Sequence, residues 1–129
     1  MGGSPRILVV DDESSVRRFM ERVLSDVGYF VTSAPTARWA LAEVRNRQLD
    51  VIVLDLSLPD ADGLEVIRQI RSERLPPRIL AISGFMVGDM PNTALSAGAT
   101  ATLVKPIAAR TLLDAVYHLL DFSGGWRGN

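Results

Sequence analysis

Arg6-Ile-Leu-Val-Val10 runs directly into Asp11-Asp12, and the reading of that junction decides the fold. A short apolar run that stops at charged residues is too brief for a buried helix and reads as a strand covered on both faces. The pattern recurs. Val51-Ile-Val-Leu54 ends at Asp55, Ile79-Leu-Ala-Ile82 at Ser83, and Ala101-Thr-Leu-Val104 at Lys105-Pro106. Tyr29–Ala34 is a weaker strand and is expected at an edge. Strand and helix alternate five times without a linker, which predicts an α/β fold, a (βα)5 doubly wound parallel sheet with helices on both faces. Ligands of open α/β sheets bind outside the carboxyl ends of the strands. Three carboxylates, one hydroxyl and one ammonium are therefore expected to converge there.

The intervening segments carry helical spacing. Val16, Phe19, Met20, Val23, Leu24 and Val27 repeat at that spacing, and Gly28 is a natural stop. Pro35 or Thr36 opens a second helix bearing Ala37, Ala40, Leu41 and Val44. Asp62 is placed to cap a third, with Leu64, Ile67 and Ile70 facing inward. Gly88 and Pro91 confine a fourth to about residues 91–97. Ala108–Leu120 is strongly amphipathic through Leu112, Leu113, Val116, Leu119 and Leu120. Residues 1–5 read as a leader outside the fold, of the kind added for expression. Residues 122–129, with Gly124, Gly125 and Gly128, read as a C-terminal tail or the start of a linker.

Bulk composition excludes several classes. The 129 residues are 47% hydrophobic and 22% charged, which suits one globular domain. A formal net charge of −1 provides no field to recruit nucleic acid or an anionic bilayer. The chain has no cysteine, so it makes no disulfide and no thiolate metal site. No apolar stretch approaches the roughly 20 residues that span a bilayer. A cytoplasmic location is expected.

Each candidate residue also has a plainer reading. Asp11 and Asp12 could cap the first helix, since carboxylates favour a helix N-terminus. Two adjacent acids after a buried strand are costlier than one, because like charges raise each other's pKa unless a cation joins them. Pro59 and Asp62-Gly63 serve a turn, Ser83-Gly84 could form another, and Lys105 could be a solvated loop residue. Four such coincidences at four successive strand ends favour a site.

Together these pieces resemble the receiver domain of two-component response regulators, of the chemotaxis-regulator type. The resemblance rests on Asp11-Asp12, Asp55-Leu-Ser-Leu-Pro59 with Asp62-Gly63, Ile82-Ser83-Gly84, and Gly98-Ala99 leading to Lys105-Pro106. It runs from Arg6 to Leu120, in order and in register, and implies a receiver domain over residues 6–121. It implies a flavodoxin-like sheet in strand order 2-1-3-4-5, with a cis Lys105-Pro106 peptide. It implies that Asp55 is the phosphoacceptor, receiving a phosphoryl group from a histidine kinase or a histidine phosphotransfer domain. Asp11, Asp12, Asp55 and the backbone carbonyl of Ser57 would hold Mg2+, for which Mn2+ can substitute, with Asp11 acting directly or through water. Lys105, Ser83 and Gly84 would receive the phosphoryl group. The domain would be a switch that catalyses only its own phosphorylation and dephosphorylation. It would not itself bind nucleic acid or membrane, and the last two helices are available for a homodimer. A downstream effector, linked or separate, is left open.

One position departs from the family pattern. Three residues before the lysine, where a Tyr or Phe is usual, stands Thr102, while Phe85 lies two residues after Ser83. That departure puts the usual route of signal transmission in question, and Phe85 is the first alternative. A phosphohydrolase of the haloacid-dehalogenase type is the rival reading, but it needs a second Asp where Ser57 stands. A flavodoxin-like cofactor binder needs a phosphate-cradling loop where Asp11-Asp12-Glu13 would repel phosphate. A degenerate receiver that never accepts phosphate is a subtler rival, but nothing at the site residues demands it. His118 is expected to be a partly exposed surface residue, and Arg68, Arg71, Arg74 and Arg78 a solvated face.

Overall fold

In the computed structural model, residues 3–121 are described. The expected tail at 122–129 and the first two residues of the expected leader lie outside them. Five strands and five helices alternate along the chain. They are β1 (Arg6–Val10), α1 (Ser14–Asp26), β2 (Phe30–Ala34), α2 (Ala37–Asn46), β3 (Val51–Asp55), α3 (Gly63–Arg71), β4 (Arg78–Ser83), α4 (Met90–Ala97), β5 (Ala101–Val104) and α5 (Ala109–Asp121). The strands form one parallel sheet in the order β2-β1-β3-β4-β5. This is the flavodoxin-like arrangement, with β2 at an edge as its sequence suggested.

Side chains alternate across each strand, so every central strand feeds two cores. Ile7, Val9, Val53, Leu80 and Ile82 pack against Met20 and Leu24 of α1 and Leu112 and Val116 of α5. Leu8, Val10, Ile52, Leu54, Ile79 and Ala81 pack against the other face, beneath Ala40, Val44, Ile67, Ile70 and Ala94 of α2, α3 and α4. All five residues of β3 are buried, which accounts for the apolar run Val51–Leu54 that precedes Asp55. Fully burying one such aliphatic side chain stabilises the fold by about 1.5–3 kcal/mol.

Local signals set the helix ends. The Thr36 side chain accepts the Trp39 N–H and starts α2, and Asp62 accepts the Leu64 N–H and starts α3. Gly28 and Gly98 hold positive φ just beyond α1 and α4, as helix C-termini often require. Phe19 and Val27 do not join the inner face of α1; they are 42% and 54% exposed. Met20 and Leu24, four residues apart, occupy the centre of that face, and Val27 has already left the helix as its C-cap. In α3, Val66 is buried while Leu64 is only partly so. Arg78 is not part of a solvated face: it opens β4, and its Nη1 donates to the Leu119 carbonyl at 2.8 Å. The stem of Arg71 occupies the space that a side chain at Gly98 would need.

Candidate functional site

Asp11 sits one residue past β1 and is fully buried, so each of its polar atoms needs a partner. Its N–H donates to the Ala34 carbonyl at 3.2 Å. Its Oδ1 accepts the Glu13 N–H at 3.0 Å, and its Oδ2 accepts from Lys105 Nζ at 2.7 Å. Its carbonyl accepts from Arg17 Nη1 at 2.8 Å. The carboxylate thus holds the turn that leads to α1 without capping it, since the N-cap is Glu13 and no side chain caps the helix, contrary to the plainer reading.

Asp55 ends β3 and is 2% exposed. The Ser57 N–H reaches its Oδ1 at 2.9 Å, and Lys105 Nζ lies 3.3 Å from its Oδ2. Burial pushes the Asp55 carboxyl above the usual carboxylate range; the Ser57 amide opposes that, the Asp11 charge adds to it, and Lys105 offsets part. For Lys105, burial pulls the pKa down. The hydrogen bond to Asp11 and the negative charges of Asp55 and Asp11 outweigh it, leaving the ammonium above its ordinary value. The lysine is thus charged across the physiological range.

Asp12 is exposed, and oxygens of Asp11, Asp12 and Asp55 all lie within 4.8 Å of one another. Ser57 is exposed in the loop that follows. Ser83 ends β4 beside Asp55, and its Oγ accepts the Phe85 N–H at 2.9 Å. An added Cβ at Gly84 would meet nothing within 4 Å, so the space beside it is open. The Lys105 N–H donates to the Ser83 carbonyl at 3.0 Å, and the following peptide, Lys105-Pro106, is cis. That backbone bond ties the end of β5 to the end of β4 and fixes where the lysine stem begins.

The fold brings the strand-end residues together and leaves others apart. Thr102 pairs with Ala81 inside the sheet and is half-buried, whereas Phe85 is 76% exposed. His118 lies on the exposed side of α5, its Nδ1 2.7 Å from the Asp114 carbonyl. A cavity of about 410 Å3 opens beside Lys105, walled by Phe19, Met20, Pro106 and Ile107.

Two contributors escaped the sequence reading. Arg17 returns from α1 to the Asp11 carbonyl, a contact that its helical spacing alone does not announce. Asp60 lies in the loop after β3, yet accepts the Ala37 and Arg38 N–H groups at 3.0 and 3.1 Å, capping α2 from another loop. Those amides, Ala37's foremost, hold its carboxyl below the usual range. Only the three-dimensional proximity of the two loops shows this.

Comparison with known proteins agrees with the geometry. The KDP operon transcriptional regulatory protein KdpE of Escherichia coli is 39% identical over 100 residues, covering 78% of this chain and 44% of the relative. The response regulator MprA of Mycolicibacterium vanbaalenii is 41% identical over 115 residues, covering 89% and 50%. The chain spans half or less of the length of these curated relatives. Among solved structures, a CheY-like response regulator receiver domain protein from Methanospirillum hungatei superposes with a TM-score of 0.89. It is 30% identical and covers 95% of this chain and 98% of its own. The chemotaxis response regulator CheY4 of Vibrio cholerae gives 0.86 at 31% identity, covering 91% and 99%. The model of the response regulator receiver domain matches residues 7–117. By this match over most of its length, and by these relatives, the chain belongs to the response regulator receiver domain family, the signalling switches of two-component systems.

Proposed function

We propose that this domain switches state when Asp55 accepts a phosphoryl group from a histidine kinase or histidine phosphotransfer protein, with Mg2+ bound beside it. The observation that carries the reading is the contact of Lys105 with both Asp11 and Asp55, beside Asp12, at the carboxyl edge of the sheet. One cation and three carboxylates leave an excess of negative charge that a divalent ion would balance.

The donor set fits Mg2+, a hard ion that takes oxygen ligands and keeps several waters. Asp11, Asp12, Asp55 and the Ser57 carbonyl would hold it. When bound, it supplies charge neutralisation between the carboxylates and an incoming phosphoryl group. An Asp55 oxygen attacks phosphorus in line; the new O–P bond forms as the N–P bond to the donor histidine breaks, and the electron pair leaves with that nitrogen. Lys105 is positioned to move its ammonium from the carboxylates to a phosphoryl oxygen, and the Ser83 hydroxyl to donate to another. The open space at Gly84 admits the group.

Water then hydrolyses the acyl phosphate, so the domain's catalysis ends on itself. Nothing favours the dehalogenase-type reading, since Ser57 cannot act as the acid/base that it requires. The relatives named as transcriptional regulators suggest an effector outside this domain, and the switch would act in the cytoplasm. Incubation with acetyl phosphate and Mg2+, followed by intact-protein mass spectrometry, tests the reading. One added phosphoryl group is expected on the wild type and none on Asp55→Asn. Equal labelling of both proteins would overturn it.

A further inference from the structure

Among the described residues, Arg17 makes no ion pair with a carboxylate within 4.0 Å. It is half-buried on the first turn of α1, and its Nη1 donates to the main-chain carbonyl of Asp11 at 2.8 Å. Its neighbour cation behaves oppositely: Lys105 bonds carboxylate oxygens of Asp11 and Asp55 directly. The two positive groups thus hold Asp11 from opposite ends of the residue, one at the carboxylate and one at the peptide.

The Asp11 peptide lies just past the β1 ladder, where regular sheet bonding ends, and its N–H is held by Ala34 of β2. Its carbonyl has no backbone partner among the described residues, and a side chain supplies one. The Arg17 guanidinium does so with a charge-assisted bond and leaves every carboxylate oxygen of the cluster to other ligands. A lysine-like contact to Oδ1 or Oδ2 would instead compete with a bound cation.

We propose that Arg17 is a positioning residue for the divalent cation: by fixing the Asp11 peptide, it aims the Asp11 carboxylate at the cation position. The inference rests on the metal-dependent reading above. It makes a prediction of unexpected sign. On charge alone, removing a guanidinium near a cation site should tighten Mg2+ binding; loss of the orienting bond should weaken it.

The test compares wild type, Arg17→Lys and Arg17→Met by amide NMR titration with Mg2+, and by the rate of labelling from acetyl phosphate across Mg2+ concentrations. Groups that orient metal ligands from behind typically change affinity by 10–100-fold, and about tenfold weaker binding is expected for Arg17→Met at this partly open site. Arg17→Lys keeps the charge and one donor and should fall between. Labelling at saturating Mg2+ should be largely retained, so the half-saturating concentration shifts while the plateau does not. A purely structural role would lower the unfolding temperature without that split.

Unchanged or tighter Mg2+ binding by Arg17→Met overturns the inference. If that variant does not fold, Arg17→Lys decides, since affinity equal to the wild type's overturns it as well. Wild type that binds Mg2+ yet takes no label would sink the phosphorylation reading while leaving the Arg17 result to stand on the titration.

Discussion

Lys105 donates its shortest hydrogen bond, 2.7 Å, to Asp11, although 94 positions separate the two residues. The bond joins the ends of β1 and β5, two strands that are not neighbours in the sheet. It exists because each strand stops at the same edge with a charged residue. The same ammonium is 3.3 Å from Asp55, so one cation holds two buried carboxylates near each other.

Lys105→Met should therefore be destabilising without Mg2+. Two nearly inaccessible carboxylates would lose their shared cation. The expected cost is about 2 kcal/mol, below the range for a fully buried pair because the lysine side chain is 22% exposed to screening water. The raised Lys105 pKa means that its contribution is complete below the unfolded value of about 10.4 and is lost as pH rises through the folded value. Urea titrations should show the deficit at neutral pH and its disappearance in strong alkali. Adding Mg2+ should shrink the deficit, because the variant's carboxylates then gain a different cation. A deficit that grows with Mg2+ would contradict this.

Asp55→Asn should be stabilising in the absence of metal. The folded-state pKa of Asp55 is raised, chiefly by burial, so folding favours its protonated form. That preference is fully present below the unfolded value, about pH 4, and is lost as pH rises through the folded value. At neutral pH the ionised carboxylate thus costs stability that a neutral amide avoids. A gain of roughly 1 kcal/mol, about 3–5 °C in Tm for a domain of this size, is expected. Differential scanning calorimetry should show the gap closing near pH 4 and also closing when Mg2+ stabilises the wild type. An Asp55→Asn protein less stable than wild type at neutral pH without metal would refute the account of this carboxylate.

Gly63→Ala should damage the fold and the site together. A Cβ at Gly63 would lie 2.6 Å from both Cα and the carbonyl oxygen of Leu56, backbone atoms that cannot swing aside. Overpacking of this kind costs about 1–3 kcal/mol. Leu56 adjoins Asp55, so relief of the clash would displace the acidic cluster. Urea unfolding measures the first effect, and the Mg2+-induced shift of the Ser57 amide the second; both should change.

The position of Thr102 bears on output. A ligand shifts a two-state equilibrium only through its differential interaction with the two states. Thr102 has no ring to bury, whereas the Phe85 ring is 76% exposed and its N–H is bonded to Ser83 Oγ. Beryllofluoride, standing in for the phosphoryl group, should order residues 83–85 strongly and residues 91–104 weakly in hydrogen exchange. Strong new protection throughout 91–104 that survives Phe85→Ala would defeat this expectation.

Much of the sheet was legible because buried parallel strands leave a plain trace: β3 is apolar from Val51 to Leu54 since both its faces are covered. The site was legible for the same reason, each charged residue standing where a greasy run stops. Exposure at the margins of helices was not. Phe19 and Met20 are adjacent and both apolar, yet about 100° of helical rotation leaves Met20 1% and Phe19 42% exposed. Contacts between distant loops were also hidden. Asp60 capping α2 and Arg17 holding Asp11 depend on where loops meet, and no local pattern encodes that. Arg78 looked like one of four surface arginines because its partner, the Leu119 carbonyl, is 41 residues away.

In the proposed reaction Asp55, and not another carboxylate of the cluster, forms the covalent bond to phosphorus. Borohydride reduction of the phosphorylated protein converts an aspartyl phosphate to homoserine, which peptide sequencing by mass spectrometry can locate. After incubation with acetyl phosphate and Mg2+, homoserine is predicted at position 55 alone, and in no sample prepared without Mg2+. Homoserine at position 11 or 12 with Asp55 intact would contradict the account.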